Sequence, residues 1–323
     1  MSETNNKRPS RLRGICAALA VVAVLLLALV VTSMIVEPKT NDSEYGLFDP
    51  ATSGIRAEPA DTIDVVVVGD SIALNGLAPL QTWHENGFTL FVCSTVAGKL
   101  PDGYTMLTRA LERQHPKLVL IEAHPIFSEF TWDYALMSEA QTVFPVLRYH
   151  SRWRNLKAED FTTRPQMTWH DERKGIRVEG EGVAVDQEAL DNYMDDTGEV
   201  QTILPQNSLY LQRMVSLCES VGATPVIISV PSVVGWSKAH HEAMSAWANE
   251  HNVAFYDFNL VSPEEIGIDW SEDSKDGGEH FNVIGASKFS RYLAKVLKRD
   301  FDLPDHRGDK AYAEWEELYQ SAD

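Results

Sequence analysis

The sequence predicts an α/β domain in which a parallel sheet is covered by helices on both sides. The chain has 323 residues, 44% of them hydrophobic, which is enough for one large core. Five short apolar runs lack polar alternation, so we interpret them as strands buried on both faces. Helical patterns alternate with these runs, as in parallel α/β folds. The predicted strands cover 63–68, 88–93, 118–123, 224–230 and 253–256, and the predicted helices cover 102–114, 206–221, 238–251 and 283–298.

An uncharged apolar run, 14–36, precedes this domain. As a helix of 23 residues it would be about 34 Å long, enough to cross the hydrocarbon core of a membrane. Residues 1–13 contain four basic side chains and one acidic side chain, whereas acidic residues follow the run. The positive-inside rule therefore predicts a cytoplasmic tail over 1–13, a transmembrane signal anchor over 14–36 and an extracytoplasmic remainder.

A cleaved signal peptide is the alternative for this run. Signal peptides usually have a shorter apolar core that ends in a small-x-small cleavage site. The run here is long and ends in Thr-Ser-Met-Ile-Val-Glu, which offers no clear site of that kind. We therefore favour an uncleaved anchor, which would make this a single-pass protein of the cell membrane.

Two irregular segments complete the predicted organisation. Residues 37–60 are polar and contain Pro, Gly, Asn and Asp, which predicts a linker before an α/β domain over 61–323. The alternation of strands and helices stops at about 127–205, a stretch too long for a simple loop. We interpret it as an insertion that forms a lid or small subdomain, with a surface insertion of no functional role as the alternative.

Charge and cysteine content exclude several function classes. The chain carries 28 Lys and Arg against 47 Asp and Glu, a net charge of −19, which disfavours binding to nucleic acid. Its three cysteines are too few for a disulfide framework or a four-thiolate zinc site. His240, His241, Glu242 and His251 lack the HExxH spacing, so a solvated helix face is favoured over a metal site. We predict no metal and no cofactor.

A serine follows the first predicted strand directly, in Gly69-Asp70-Ser71. This position places the hydroxyl and the amide of Ser71 at the carboxyl edge of the sheet, where a nucleophile needs nearby donors for the oxyanion it creates. A helix cap is the alternative interpretation of the same residues.

A histidine near the C-terminus lies in a loop with acidic and glycine residues, Asp276-Gly277-Gly278-Glu279-His280. A carboxylate that orients an imidazole is the second half of a Ser-His-Asp relay. A solvated loop histidine is the alternative.

Together these two motifs resemble the SGNH/GDSL hydrolase superfamily over about 63–297. The resemblance implies a flavodoxin-like, three-layer α/β/α fold. Further stretches are similar to a membrane-anchored branch related to DltD and AlgX, which acts in cell-surface polymer acylation. These stretches are 116–122, 148–153, Pro231-Ser232 with Trp236, and 280–286.

The resemblance also implies roles for individual residues. Ser71 would be the nucleophile and an oxyanion-hole donor, Gly98 would supply a second amide, His280 would be the base, and Asp276 would orient it. The usual acid lies three residues before the histidine, whereas Asp276 lies four before it. Either the loop bulges so that Asp276 still reaches, or Asp273 or Glu279 substitutes, or no acid partner exists.

A second departure concerns the third strand. The superfamily often places an Asn there, whereas this chain has Glu122 and, two residues later, His124. His124 is a candidate third donor of the oxyanion hole, while an ionised Glu122 has no proton to donate.

These features predict a membrane-tethered, extracytoplasmic serine esterase or O-acyltransferase acting on acylated cell-surface carbohydrate through an acyl-enzyme. An integral-membrane acyl donor is a candidate partner. The alternative is a catalytically inactive binding or assembly protein for surface polymer, favoured by the displaced acid and the missing Asn. A lipase or protease is less favoured, because the Gly-x-Ser-x-Gly elbow is absent around Ser71. Trp132, Trp153, Trp169 and Trp236 are candidates for stacking on sugars, although core packing explains most tryptophans.

Overall fold

Five parallel strands form one sheet in the computed structural model, which describes residues 9–39, 50–164 and 170–322. The strands are β1 (Val65–Gly69), β2 (Leu90–Ser94), β3 (Leu118–Glu122), β4 (Thr224–Ser229) and β5 (Ala254–Asp257), in the order β2-β1-β3-β4-β5. The chain leaves β1 toward β2 on one side and returns to β3 on the other. The carboxyl ends of β1 and β3 therefore flank the point where ligands bind in such sheets.

Helices cover both faces of this sheet, which confirms the predicted three-layer α/β class. In chain order, and whichever part of the chain they belong to, the helices of the described residues are α1 (Pro9–Val36), α2 (Pro50–Ala57), α3 (Ser71–Gly76), α4 (Pro79–Asn86), α5 (Leu100–Ala110), α6 (Trp132–Val143), α7 (Val146–Tyr149), α8 (Gln187–Asn192), α9 (Pro205–Ser220), α10 (Lys238–His251), α11 (Pro263–Ile266), α12 (Val283–Asp300) and α13 (Ala313–Ala322). Residues of α3, α5, α9, α10 and α12 pack against the sheet. Short 3-10 helices occupy His124–Phe127, His150–Asn155, Ala158–Phe161, Phe258–Leu260 and Lys310–Tyr312.

Two apolar clusters lie between the layers, because successive strand residues point to opposite faces. Val66 and Val68 of β1 belong to the cluster that includes residues of α5, α9 and α10. Val65 and Val67 belong to the other cluster, with residues of α3 and α12. All five residues of β1 are buried, as the continuous apolar run predicted.

The structure differs from the predicted linker over 37–60. Helix α2 lies within that range, and its Ile55 is fully buried in the core. The folded domain therefore begins before residue 61. An eight-residue helix is too short to show the apolar periodicity by which the sequence identifies longer helices.

The chain divides into two compact units. One contains 48–135 and 168–323, with the whole sheet, and the other contains 1–47 and 136–167. The predicted insertion, 127–205, thus contributes to both units, and its described residues contain no strand. Residues 1–8, most of the predicted cytoplasmic tail, and Trp169 lie outside the described residues.

Helix α1 in the second unit contains a stretch, Leu12–Val36, with a mean hydropathy of 3.1. Among the described residues it is the one helix that is long and apolar enough to cross a membrane. Length and composition alone are common to membrane anchors and signal sequences.

A buried lysine connects distant segments of the sheet-containing unit. Lys174 is fully buried, and its ammonium donates to Glu58 (2.7 Å) and Glu314 (2.6 Å). The same ammonium lies 4.9 Å from the ring centroid of Trp315. Through these contacts a segment of the predicted insertion is held to the residue that follows α2 and to α13.

Replacing this lysine by an apolar residue should destabilise the fold. In Lys174→Met, two carboxylates lose their buried partner, so we expect the free energy of unfolding to fall by about 3–5 kcal/mol. Urea unfolding followed by tryptophan fluorescence measures the change. The exposed Lys310→Met is the control, expected to stay within about 0.5 kcal/mol of wild type. Equal effects of the two substitutions would contradict this account.

Candidate active site

The carboxyl end of β1 presents the predicted nucleophile. Ser71 is the first residue of α3, and the Asp70 carboxylate caps that helix by accepting from the Ile72 amide at 2.8 Å. A Cβ at Gly69 would lie 2.7 Å from the Cβ of Glu122, so only glycine fits beside β3. Among the described residues, no group accepts from the Ser71 amide, as expected at the first position of a helix. This N–H is therefore available to an oxyanion.

His280 connects the serine to a carboxylate. Its Nε2 lies 2.9 Å from Ser71 Oγ, and its Nδ1 lies 2.6 Å from Asp276 Oδ2. The His280 side chain is 12% exposed, whereas the Asp276 side chain is 34% exposed, so the serine side of this pair is better shielded from water than the carboxylate side. The structure thus brings together the three residues that the sequence singled out as a Ser-His-Asp set.

The extra residue before His280 is accommodated by a bulge in the loop. Gly277 and Gly278 have φ values of 81° and 118°, which side-chain-bearing residues rarely adopt. The loop is closed at its base by an antiparallel bridge between Ser274 and Phe281. The two glycines therefore let Asp276 reach back to His280 although it lies four residues before it.

Asp276 holds the loop as well as the imidazole. Its Oδ1 accepts from the backbone amides of His280 (2.9 Å) and Glu279 (3.2 Å). Burial alone would raise the pKa of Asp276, but the hydrogen bonds from the amide and ring of His280 outweigh it and lower that pKa. Asp276 is therefore ionised at neutral pH.

The two alternative acids have other positions. Asp273 Oδ2 accepts from Lys288 Nζ (2.6 Å) and from the Asp269 amide (2.7 Å), so it serves the base of the loop. Glu279 Oε2 lies 3.9 Å from His280 Nδ1, beyond hydrogen-bond distance. Of the three candidates, only Asp276 is hydrogen-bonded to His280.

A link between the serine helix and the histidine loop was missed by sequence reasoning. Asn75 Nδ2 donates to the Ser71 carbonyl (2.7 Å), and Lys275 Nζ donates to Asn75 Oδ1 (2.7 Å). In the sequence, only the position of Asn75, one helical turn after Ser71, indicates its contact with Ser71. Nothing local indicates its contact with Lys275, which lies 200 residues away.

Gly98 lies beside β1, but its amide is engaged. A Cβ at this residue would lie 3.3 Å from the Gly69 carbonyl oxygen. The Gly98 N–H donates to the Thr95 carbonyl at 3.2 Å, in a turn where Ala97 has a φ of 52°. A contribution of this amide to an oxyanion hole would therefore require sharing or breaking the turn bond.

His124 and Asp70 form a partly buried ion pair next to the serine. His124 Nδ1 lies 2.6 Å from Asp70 Oδ2, and the His124 amide donates to Glu122 Oε1 at 3.0 Å. Glu122 is buried, and its Oε2 has no hydrogen-bond partner among the described residues. Sequence reasoning named His124 but missed Asp70 as its partner, because the two are 54 residues apart.

The protonation states of this group follow from burial and charge. Burial and the nearby Asp70 carboxylate raise the pKa of Glu122 to about 8. Burial by itself would lower the pKa of His124, but the hydrogen bond and charge of Asp70, together with Glu122, raise it to about 9. At neutral pH His124 is therefore a cation and Glu122 is neutral.

Two groups of side chains contain residue types that bind metals. Ligand atoms of Asp276, Glu279 and His280 lie within 4.8 Å of one another. A cation there would replace the hydrogen bond that holds the imidazole. His241 Nδ1 instead pairs with Asp257 (2.8 Å) and His240 Nδ1 with Ser237 (2.8 Å), so these two histidines have separate partners.

The tryptophans proposed for sugar stacking differ in exposure. Trp236 is buried and donates from Nε1 to Asp257, so it offers no face to a sugar. Trp132 and Trp153 are exposed.

No protein-family model matches the chain, and no relative was found among curated proteins. Among solved structures, a protein described as an acylhydrolase from Bacteroides fragilis NCTC 9343 is 11% identical, with a TM-score of 0.40 and coverage of 79% of this chain and 97% of that one. A protein described as a lipolytic member of the G-D-S-L family, from Desulfitobacterium hafniense DCB-2, is 13% identical (TM-score 0.40; 72% and 98% covered). The esterase EstA from Pseudoalteromonas sp. is 12% identical (TM-score 0.37; 73% and 97% covered). Similarity this low assigns no family, so the chemistry must follow from the residues themselves.

The titration of His124 tests this electrostatic account. We expect its imidazole to titrate near pH 9, because Asp70 stabilises the cation, and to titrate lower in Asp70→Asn. A pKa above the unfolded value of about 6.5 means that the pair stabilises the fold fully below that pH. The stabilisation is lost as the pH rises through about 9. Histidine ring NMR, with His124→Gln to assign the signal, measures the pKa, and a value near 6.5 would contradict the pairing.

Proposed function

We propose that this chain is a serine esterase or O-acyltransferase of the SGNH/GDSL type. The observation that carries the proposal is the hydrogen-bonded chain from Ser71 Oγ through His280 to Asp276. It lies at the carboxyl end of β1, where the strand order reverses and parallel sheets bind ligands. A nucleophile, a base and an orienting carboxylate in this geometry support acyl transfer.

The reaction proceeds through an acyl-enzyme. Ser71 Oγ attacks the ester carbonyl, and its proton passes to His280 Nε2. The tetrahedral intermediate collapses as the bond to the alcohol breaks, and the imidazolium returns the proton to the leaving oxygen. Water or a sugar hydroxyl then attacks the acyl-enzyme, with His280 again accepting a proton and returning it to Ser71. Attack by water gives an esterase, and attack by a sugar hydroxyl gives a transferase.

The oxyanion is stabilised by donors on two neighbouring strand ends. The Ser71 amide is the first, since it is unengaged at the start of α3. Cationic His124 is the second: with Nδ1 bonded to Asp70, it has Nε2–H left to donate. The Gly98 amide is a third candidate once its turn bond opens.

Membrane attachment through α1 is part of the proposal. The end of α1 contacts residues of its own unit: Ser33 and Val36 are buried, and the Arg152 guanidinium donates to the Val36 carbonyl at 2.7 Å. A segment removed by cleavage has no reason to make buried contacts with the remaining chain. These contacts favour a retained signal anchor over a cleaved signal.

The substrate we propose is acylated carbohydrate of the cell surface. An anchor with an extracytoplasmic domain keeps the enzyme close to surface polymer, and an integral-membrane acyl donor is a suitable partner. The resemblance to DltD and AlgX in the sequence points to the same class of substrate.

The rival function is a binding or assembly protein without activity. The sequence supported it by the displaced acid and by the missing Asn. The first of these arguments is weakened, because Asp276 reaches His280 through the loop bulge. The engaged Gly98 amide still favours the rival.

Fluorophosphonate labelling of the purified chain tests the nucleophile. We expect wild type to be labelled, Ser71→Ala to lose the label, and His280→Ala and Asp276→Asn to react at least about 10²-fold more slowly. Hydrolysis of a p-nitrophenyl ester should fall in parallel. His115→Asn and Ser220→Ala, which alter an exposed histidine and an exposed serine, should react like wild type. A folded wild type without label would favour the binding or assembly protein.

Intact-mass analysis of the membrane fraction tests the anchor. We expect a chain that still contains 14–36 and that remains in the membrane after carbonate washing, because α1 spans the bilayer. Protease added outside intact cells should digest the C-terminal domain. A soluble chain that begins after residue 36, or a domain protected from external protease, would contradict the proposal.

A further inference from the structure

Residues 136–164, which we call the collar, contact the C-terminal end of α1 within one compact unit. Helix α7 and the 3-10 helices at His150–Asn155 and Ala158–Phe161 all touch α1. The Val146 amide donates to Ser33 Oγ at 3.1 Å. The collar therefore packs on the last turns of the apolar helix.

Two cations satisfy carbonyls at this helix end. Arg152 donates from Nη1 to the Val36 carbonyl at 2.7 Å and from Nη2 to Asp160 Oδ1 at 2.9 Å. Lys39 donates to the Met34 carbonyl. Both Arg152 and Asp160 are buried, so the ion pair ties the collar firmly to the end of α1. Cations at a helix C-terminus also complement its dipole.

This attachment fixes the depth of the collar in a membrane. The apolar stretch, Leu12–Val36, has 25 residues and is about 37 Å long, whereas the hydrocarbon core is about 30 Å thick. Ser33 and Val36 are then at the boundary of the hydrocarbon, where the headgroup region begins. Groups bonded directly to these residues lie in that region.

The collar's outer surface has the chemistry of a membrane interface. Trp153 and Phe161 are 64% and 62% exposed, and the Arg154 guanidinium lies 5.5 Å from the Trp153 ring centroid. Exposed Arg154 and Lys157 have no ion-pair partner among the described residues. The collar carries five basic and three acidic residues in a chain with a net charge of −19. Tryptophan and basic side chains are typical of segments that bind at the headgroup level.

We propose that the collar binds the outer leaflet of the bilayer that α1 spans, with Trp153 and Phe161 among the headgroups and Arg154 and Lys157 on anionic lipid. The inference rests on the membrane anchor of the proposed function. It adds a second, interfacial attachment formed by residues more than 100 positions beyond α1 in sequence. Acidic polymer is disfavoured as the partner because the depth of the collar places it against lipid.

Depth-dependent fluorescence quenching of the full chain in lipid vesicles tests the proposal. A fluorophore is attached to single cysteines introduced as Ser151→Cys or Thr162→Cys, which leave Trp153 and Phe161 intact. The background is Cys16→Ser, since Cys93 and Cys218 are buried. Leu25→Cys reports the middle of α1, and Val200→Cys is an exposed control outside the collar.

We expect headgroup nitroxide to quench labels at 151 and 162 at least about twofold more strongly than at 200. A nitroxide attached to the acyl chain of the lipid should quench the label at 25. Adding phosphatidylglycerol to phosphatidylcholine should increase quenching at 162, and the double variant Arg154→Gln with Lys157→Gln should lose that increase.

Each result that differs from these expectations would overturn a specific part of the proposal. Quenching at 25 but not in the collar would overturn the interfacial attachment and leave the anchor. No quenching at 25 would overturn the anchor itself, and the collar proposal with it. Collar quenching that does not respond to phosphatidylglycerol would overturn the assignment of anionic lipid.

Discussion

The buried carboxylate of Asp70 holds the candidate active site together. Its Oδ1 accepts from the Ile72 amide, which starts α3 and fixes Ser71 at the helix N-terminus. Its Oδ2 accepts from His124, which comes from the neighbouring strand end. One side chain therefore caps the helix that begins with the predicted nucleophile, Ser71, and also binds the imidazole of His124. Because Asp70 is almost completely buried, water is a poor substitute for either bond.

The sheet was predictable from the sequence because apolar runs mark its strands. Strands β1, β2 and β3 are buried along their whole length, as expected, whereas no residue of the edge strand β5 is buried. Every predicted strand is present, and α10 has the predicted bounds, 238–251, since its two faces differ in polarity over four turns. Helices α2 and α4 were not predicted, because eight residues contain too few turns to show a period. The collar was not predictable either: Arg152 and Val36 meet across 116 residues, and no local pattern records that contact.

The sequence predicted the residues of the candidate site and the pairing of Ser71 with His280, but it left open which carboxylate pairs with His280. Ser71 and His280 lie in recognisable sequence motifs, and the structure places Ser71 Oγ 2.9 Å from His280 Nε2. Counting residues could not choose among Asp273, Asp276 and Glu279, because the answer depends on backbone angles at two glycines. The engagement of the Gly98 amide likewise depends on the geometry of a turn. Sequence motifs identify the candidate residues, and the backbone conformation determines which of them are close enough to form hydrogen bonds.

Burial changes the protonation state of Glu122, and with it the hydrogen bonds that its side chain can form. As a carboxylate, Glu122 would be a poor substitute for the Asn that the SGNH/GDSL superfamily, which the sequence resembles, often has at the third strand. Burial raises its pKa to about 8, so at neutral pH it is a carboxylic acid with one O–H donor and one carbonyl acceptor. In hydrogen-bonding terms a neutral acid resembles an amide, which also has a donor and an acceptor. The neutral state also leaves Asp70 as the anion paired with His124. In the proposed reaction, the imidazolium would then stabilise an oxyanion without a second negative charge from Glu122.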